Sequence, residues 1–141
     1  MRGKISIMDI VMAQGTFDVI HPGHIKYLEE SSKKGDKLVV VIARDSRVEE
    51  RKDLAFNEEE RRKIVESLEA VDEAVLGSKG DIYTTVKQIS PNIITLGHDQ
   101  HHSEEEVKNM AEEALGREVK VERIEESTEH SSSDIKEQVT K

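Results

Sequence analysis

The sequence predicts an α/β domain: a parallel five-stranded sheet with helices on both faces. Short β-rich runs alternate with amphipathic helical patterns along the whole chain, as crossover units require. The length, 141 residues, suits one sizeable core and is too short for two large ones. The helical stretches between strands run to roughly 10–14 residues, enough to return the chain across a sheet.

The first strand is read at Asp9 to Ala13, after residues 1–8, "MRGKISIM", which are expected to be a flexible leader; residues 9–141 form the domain. After the loop "QGTFDVIHPGH" comes a helix opened by Pro22, with Ile25, Leu28 and Tyr27 as its apolar side and Gly35-Asp36 as its end. The second strand, Lys37 to Ala43, is almost continuously apolar, which suits a strand covered on both faces. Glu58 to Ala70 is predicted helical from Ile64, Val65 and Leu68, with Val71 in the same period.

A third strand follows at Ala74 to Gly77, a helix at Ile82 to Ile89, and a fourth strand at Asn92 to Gly97. Glu104 to Leu115 is the next helix and Glu118 to Ile124 the fifth strand. The polar run "EESTEHSSSD", Glu125 to Asp134, leads into a last short helix, Asp134 to Thr140.

Composition narrows the function. A formal charge of −9 argues against nucleic acid as partner, because displacing counterions from a duplex needs a basic face. The chain has no cysteine, which excludes disulfides, thiolate catalysis and cysteine-bound zinc. No apolar run approaches the ~18 residues of a membrane span, and no signal peptide precedes the first strand. A cytoplasmic protein without membrane partners is expected.

In a sheet of this kind ligands bind beyond the carboxyl ends of the strands, where strand order reverses. The first loop lies at such an end. It carries neither GxGxxG nor a Gly-Lys-Ser/Thr phosphate loop; instead it sets His21 and His24 on the first turn of a helix. Helix N-termini favour anions, Gly23 admits close approach, and two imidazoles can flank a phosphate with hydrogen bonds or, if protonated, charge. A unit charge ~4 Å from developing negative charge is worth roughly 4 kcal/mol at an effective dielectric near 20.

"GTFDVIHPGH", Gly15 to His24, resembles the first motif of the HxGH nucleotidyltransferases, which include small-phosphate cytidylyltransferases, pantetheine-phosphate adenylyltransferase and archaeal FAD synthases. The resemblance extends through "ERRKIVESLEAVDEAVLG" (60–77) and "IITLGHDQ" (93–100). It implies a Rossmann-like fold, with His21 and His24 on the nucleotide phosphates during in-line attack at the α-phosphorus. "VIARDSRV" (41–48), "GHDQ" and "HSSSDI" (130–135) look most like the archaeal FAD synthases, which join ATP and FMN into FAD and pyrophosphate. A cytidylyltransferase acting on glycerol-3-phosphate is the alternative, and a nucleotide-binding module without turnover a third.

The resemblance implies nucleotide contacts at Gly15, Thr16, Phe17, His21, His24, Gly97, Asp99, Gln100, Arg123, Ser131, Ser132 and Ser133. It implies acceptor contacts at Arg61, with Arg51 and Lys52 on a neighbouring loop. Asp134 stands where the cytidylyltransferases carry a lysine, so no triphosphate-binding lysine is assigned there. Mg²⁺ or another divalent cation is expected, held largely by substrate phosphates, with Asp18 as the nearby carboxylate. "HDQHH" (98–102) is read as a nucleotide-side loop in preference to a metal cluster. Phe56 or Tyr83 is the expected wall for a flavin ring, with Phe17 and Tyr27 in the core. ATP is the expected co-substrate, and the resemblance implies a homodimer.

Overall fold

The computed structural model describes residues 8–48, 54–78, 82–97 and 102–125. The elements run β1 (Ile10–Gly15), α1 (Pro22–Ser32), β2 (Lys37–Ile42), a 3₁₀ turn (Asp45–Val48), α2 (Glu58–Glu66) and β3 (Glu73–Leu76). Then come α3 (Ile82–Ile89), β4 (Ile93–Gly97), α4 (Glu104–Leu115) and β5 (Lys120–Ile124). All strand pairs are parallel, in the order β3-β2-β1-β4-β5. The predicted last helix, Asp134 to Thr140, and residues 1–7 of the leader lie outside the described residues.

The sheet is buried on both faces because its strands alternate between two apolar sets. Val11 and Ala13 of β1 join Leu38, Val40 and Ile42 of β2 under α1 and α2, with Tyr27, Leu28 and Val65. Met12 joins Val41, Ile94 and Leu96 on the opposite face, under Val86 of α3 and Val107 and Ala111 of α4. Burying side chains of this size contributes roughly 1.5–3 kcal/mol each relative to exposure.

Capping explains where the helices start. Asn57 with Glu60 opens α2 and Ser103 with Glu106 opens α4, each as a reciprocal capping box. Most predicted strand ends shift by one or two residues, and three differences bear on the packing. Helix α2 stops at Glu66, four residues before the expected Ala70: beyond the Ser67 C-cap the Leu68 and Val71 N–H groups bond i−3 carbonyls, those of Val65 and Leu68, and the chain tightens into turns. Strand β1 continues to Gly15, held along its whole length by β2. Ile25, expected on the apolar side of α1, is 37% exposed; the buried stripe is Tyr27, Leu28 and Ser31.

Strand order reverses between β1 and β4, each of which has its next neighbour on the outer side. Beyond their carboxyl ends lie the β1–α1 loop and the chain leaving β4. That crevice is the position at which open α/β sheets bind ligands.

Candidate active site

Strand β1 delivers Gly15, Thr16, Phe17 and Asp18 to this crevice. Phe17 takes a left-handed backbone (φ 53°), a conformation that costs free energy for a bulky residue. Its ring is only 3% exposed and lies so close over Gly15 that a Cβ there would fall 2.7 Å from Phe17 Cε2. The same ring meets His24 edge-on, with centroids 5.4 Å apart. Phe17 is therefore a prop beneath His24, in the core as expected.

The two histidines cap their own helix. His21 is the N-cap of α1, and its Nδ1 accepts a hydrogen bond from the Gly23 N–H at 3.0 Å. In return His24 Nδ1 accepts from the His21 N–H at 3.2 Å, so the pair forms a capping box built from imidazoles. The rings stack with centroids 3.9 Å apart and planes 28° from parallel. Gly23 is required here: a Cβ would lie 2.8 Å from His21 Cε1 and 3.1 Å from its Nδ1.

This arrangement fixes a tautomer. A nitrogen that accepts an N–H bond carries no proton, so each neutral ring must hold its proton on Nε2. A charged form of either ring would require its Nδ1 to give up the cap. The helix N-terminus is also less bare than the sequence suggested, since the Gly23 N–H goes to His21 and the His24 and Ile25 N–H groups go to the His21 carbonyl.

Beside the histidines lies a polar latch. Arg61 of α2 is fully buried, which is rare for arginine and is sustained by pairing of its charge. Its guanidinium donates to Asp45 Oδ1 (2.6 Å), to the Thr16 carbonyl (2.8 Å) and to the Phe56 carbonyl (3.1 Å). Asp18 accepts from the Ala55 N–H (2.9 Å) and the Phe56 N–H (3.0 Å). The Ala55 hydrogen bond is the main reason its carboxyl titrates below the usual aspartate range, helped by the Phe56 bond and the Arg61 charge. Together Asp18 and Arg61 fasten the segment before α2 to the β1–α1 loop, and leave the Phe56 ring 37% exposed at the site.

Among the remaining basic residues, Arg44 pairs with Glu58, and Arg62 with Glu59 and Glu66, a salt-bridged surface. Arg51 and Lys52 lie outside the described residues. Across the crevice, Arg123 of β5 donates to the Gly97 carbonyl (2.7 Å) and the His102 carbonyl (2.6 Å) and pairs with Glu104. It thereby ties Gly97 to His102. Asp99 and Gln100, and Ser131 to Ser133, also fall outside the described residues. Tyr83, the other expected flavin wall, sits on α3 with its hydroxyl on Glu113 of α4.

The structure thus gathers Gly15, Thr16, Phe17, Asp18, His21, His24 and Arg61 around one loop. Sequence reasoning missed three participants: Asp45, which pairs with Arg61; the Ala55 and Phe56 backbone, which holds Asp18; and Tyr27, whose hydroxyl donates to the Thr95 carbonyl. No local pattern announces them, because each depends on a partner distant in sequence. Among the described residues no group of three His, Cys, Asp or Glu side chains is placed to hold a metal ion. No described helix is long and apolar enough to cross a membrane.

A family model described as cytidylyltransferase-like matches residues 12–138. The chain belongs to that family. Among cytidylyltransferase-like relatives, the FAD synthase of Picrophilus torridus is 46% identical over 132 residues, covering 92% of this chain and 94% of that one. The FAD synthase of Aciduliprofundum boonei is 53% identical over 112 residues, covering 79% of this chain and 73% of its own. A crystal structure named as a lipopolysaccharide core biosynthesis protein, from Thermoplasma volcanium, superposes with a TM-score of 0.79 at 45% identity. It covers 85% of this chain and 98% of that one.

Proposed function

We propose that this cytidylyltransferase-like enzyme is an FMN adenylyltransferase, with residues 9–141 as its catalytic domain. The FMN phosphate oxygen attacks the α-phosphorus of ATP, the bond from that phosphorus to the bridging oxygen of the β-phosphate breaks, and FAD and pyrophosphate leave. The observation that carries the reaction type is the imidazole pair on the first turn of α1, each ring held at Nδ1 by a backbone N–H; this supports a reading in which the two Nε2–H groups serve one anion. The choice of ATP and FMN is supported by the extended identity to FAD synthases.

The chemistry needs little more. A phosphate monoester has its second pKa near ~6, so the attacking oxygen is ionised at neutral pH and needs no general base. Catalysis reduces to aligning two polyanions and stabilising charge on the α-phosphate and departing pyrophosphate. His21 and His24 donate to those oxygens; the backbone of Gly15, Thr16 and Phe17 lines the approach. Gly97, Asp99 and Gln100 take the nucleoside, with Arg123 holding their loop, and Ser131, Ser132 and Ser133 reach phosphate oxygens.

Arg61 serves the acceptor side by anchoring Thr16 and Phe56, since its guanidinium already has three protein partners. Arg51 and Lys52 supply charge for the FMN phosphate, and Phe56 the flavin wall. A divalent cation enters with ATP as part of the substrate, because Mg²⁺ prefers phosphate oxygens and water with one or two carboxylates. Asp18 fits that second role: a carboxylate accepting two N–H groups still has lone pairs to offer.

Purified protein incubated with Mg²⁺, ATP and FMN is expected to form FAD and pyrophosphate, resolved by chromatography. Product from CTP and glycerol-3-phosphate, with none from ATP and FMN, would overturn the assignment.

A further inference from the structure

The pairing of β1 with β4 stops early. β1 pairs with β2 along its full length and β4 with β5 along its own, yet β1 and β4 are paired only at Val11↔Ile93 and Met12↔Ile94. One more step of this parallel register would set Ala13 against Thr95 and bring the Gln14 N–H to the Thr95 carbonyl. A phenol stands in that position instead. Tyr27 Oη accepts from the Gln14 N–H at 3.4 Å and donates to the Thr95 carbonyl at 2.8 Å.

Tyr27 is 9% exposed and projects from α1. Three residues before it on the same helix is His24; four residues after it is Ser31, whose hydroxyl shares a 2.8 Å hydrogen bond with Thr95 Oγ1. One face of α1 therefore carries the His24 imidazole at the crevice and seats itself on Thr95 of β4.

We propose that Tyr27 is a positioning residue that props open the crevice between β1 and β4 for the nucleoside, by interposing its hydroxyl in a rung the strands would otherwise close. This rests on the nucleotidyltransferase reading above. Without the phenol oxygen, the Gln14 N–H and the Thr95 carbonyl are complementary and their direct pairing is the ready way to satisfy both. Closing that rung narrows the space in which a base and ribose must lie.

The test is Tyr27→Phe, which keeps the ring and removes only the hydroxyl. Affinity for ATP, measured by titration calorimetry, is expected to fall about tenfold, the scale of one hydrogen bond's net worth, with the FMN KM little changed. The Gln14 amide, followed by NMR hydrogen exchange, is expected to become more protected as it pairs directly with Thr95. A purely structural role gives the opposite pattern: faster Gln14 exchange, a lower Tm and wild-type ATP affinity. That result overturns the proposal.

Ser31→Ala serves as control, since it removes a buried hydrogen bond to Thr95 without touching the phenol bridge; it is expected to lower Tm and leave ATP affinity unaltered. Should Tyr27→Phe fail to fold, a structure of the wild-type protein with ATP decides. The nucleoside between β1 and β4 with the phenol still bridging Gln14 and Thr95 supports the proposal; paired strands with the phenol displaced refute it. A wild-type protein that binds ATP but forms no FAD would sink the adenylyltransferase reading alone, because the Tyr27 comparison is read from binding and exchange.

Discussion

The proposed reaction gives His21 two jobs on opposite sides of one ring, and substitution can separate them. Nδ1 caps α1 through the Gly23 N–H at 3.0 Å; in the proposed reaction Nε2 donates to substrate. His21→Ala removes both functions. His21→Asn restores a side-chain oxygen at the N-cap, where asparagine is among the best residues, but has nothing at the position of Nε2. The cap is worth about 1 kcal/mol, so Ala is expected to lower Tm by about 2–4 °C in a domain of this size, and Asn by little. The Nε2–H, if it stabilises transition-state charge as oxyanion-hole donors do, is worth roughly 3–4 kcal/mol, or about 10²–10³ in kcat. His24 is unaffected at its own anchor, because that bond comes from the backbone N–H of residue 21. Thermal unfolding and steady-state FAD formation are measured on both variants. The expected result is two variants of different stability with the same large loss of kcat and modest changes in ATP affinity. An Asn variant with near-wild-type turnover, or losses of rate that simply follow losses of stability, would refute the division of labour.

Gly23→Ala drives a methyl group to within 2.8 Å of His21 Cε1, so the ring must swing off its cap. The expected cost is about 10²-fold in kcat from misplacement and about 1 kcal/mol of stability, checked by the same two assays. Asp18→Ala tests the latch through pH. Because the Ala55 N–H bond above all depresses the folded-state pKa of Asp18, its stabilisation is fully present above the ordinary aspartate value near ~4 and is lost as pH falls through the lower folded value. Urea unfolding is therefore expected to show the widest gap between wild type and variant at neutral pH, closing under acid conditions; a gap independent of pH would contradict the latch.

The fold was largely legible because its signals are local. Alternating apolar positions, the apolar run of β2 and the helical spacing of Ile64, Val65 and Leu68 each reveal an element without reference to the rest of the chain. The end of α2 was not, since Leu68 and Val71 continue the helical apolar period while the backbone has already tightened into i−3 turns that pack them against the sheet. His21 and His24 stood out by spacing and resemblance, but their tautomer depends on which nitrogen meets a backbone N–H, and that is a matter of geometry. Arg61 was singled out by resemblance as an acceptor contact; its complete burial could not be read, because arginine is exposed by default and its partners Thr16 and Asp45 come from two other segments. Tyr27 was assigned to the core on its ring, correctly, while its hydroxyl acts on Thr95, 68 residues away.

Imidazole nitrogen NMR reads the central claim most directly. Protein carrying ¹⁵N-labelled histidine, with the six residues assigned by single His→Asn variants, is titrated with a non-hydrolysable ATP analogue and Mg²⁺. The expected result is that His21 and His24 hold unprotonated, accepting Nδ1 atoms throughout, while their protonated Nε2 signals move and couple to phosphorus. Protons found on Nδ1, or Nε2 signals indifferent to the nucleotide, would contradict it.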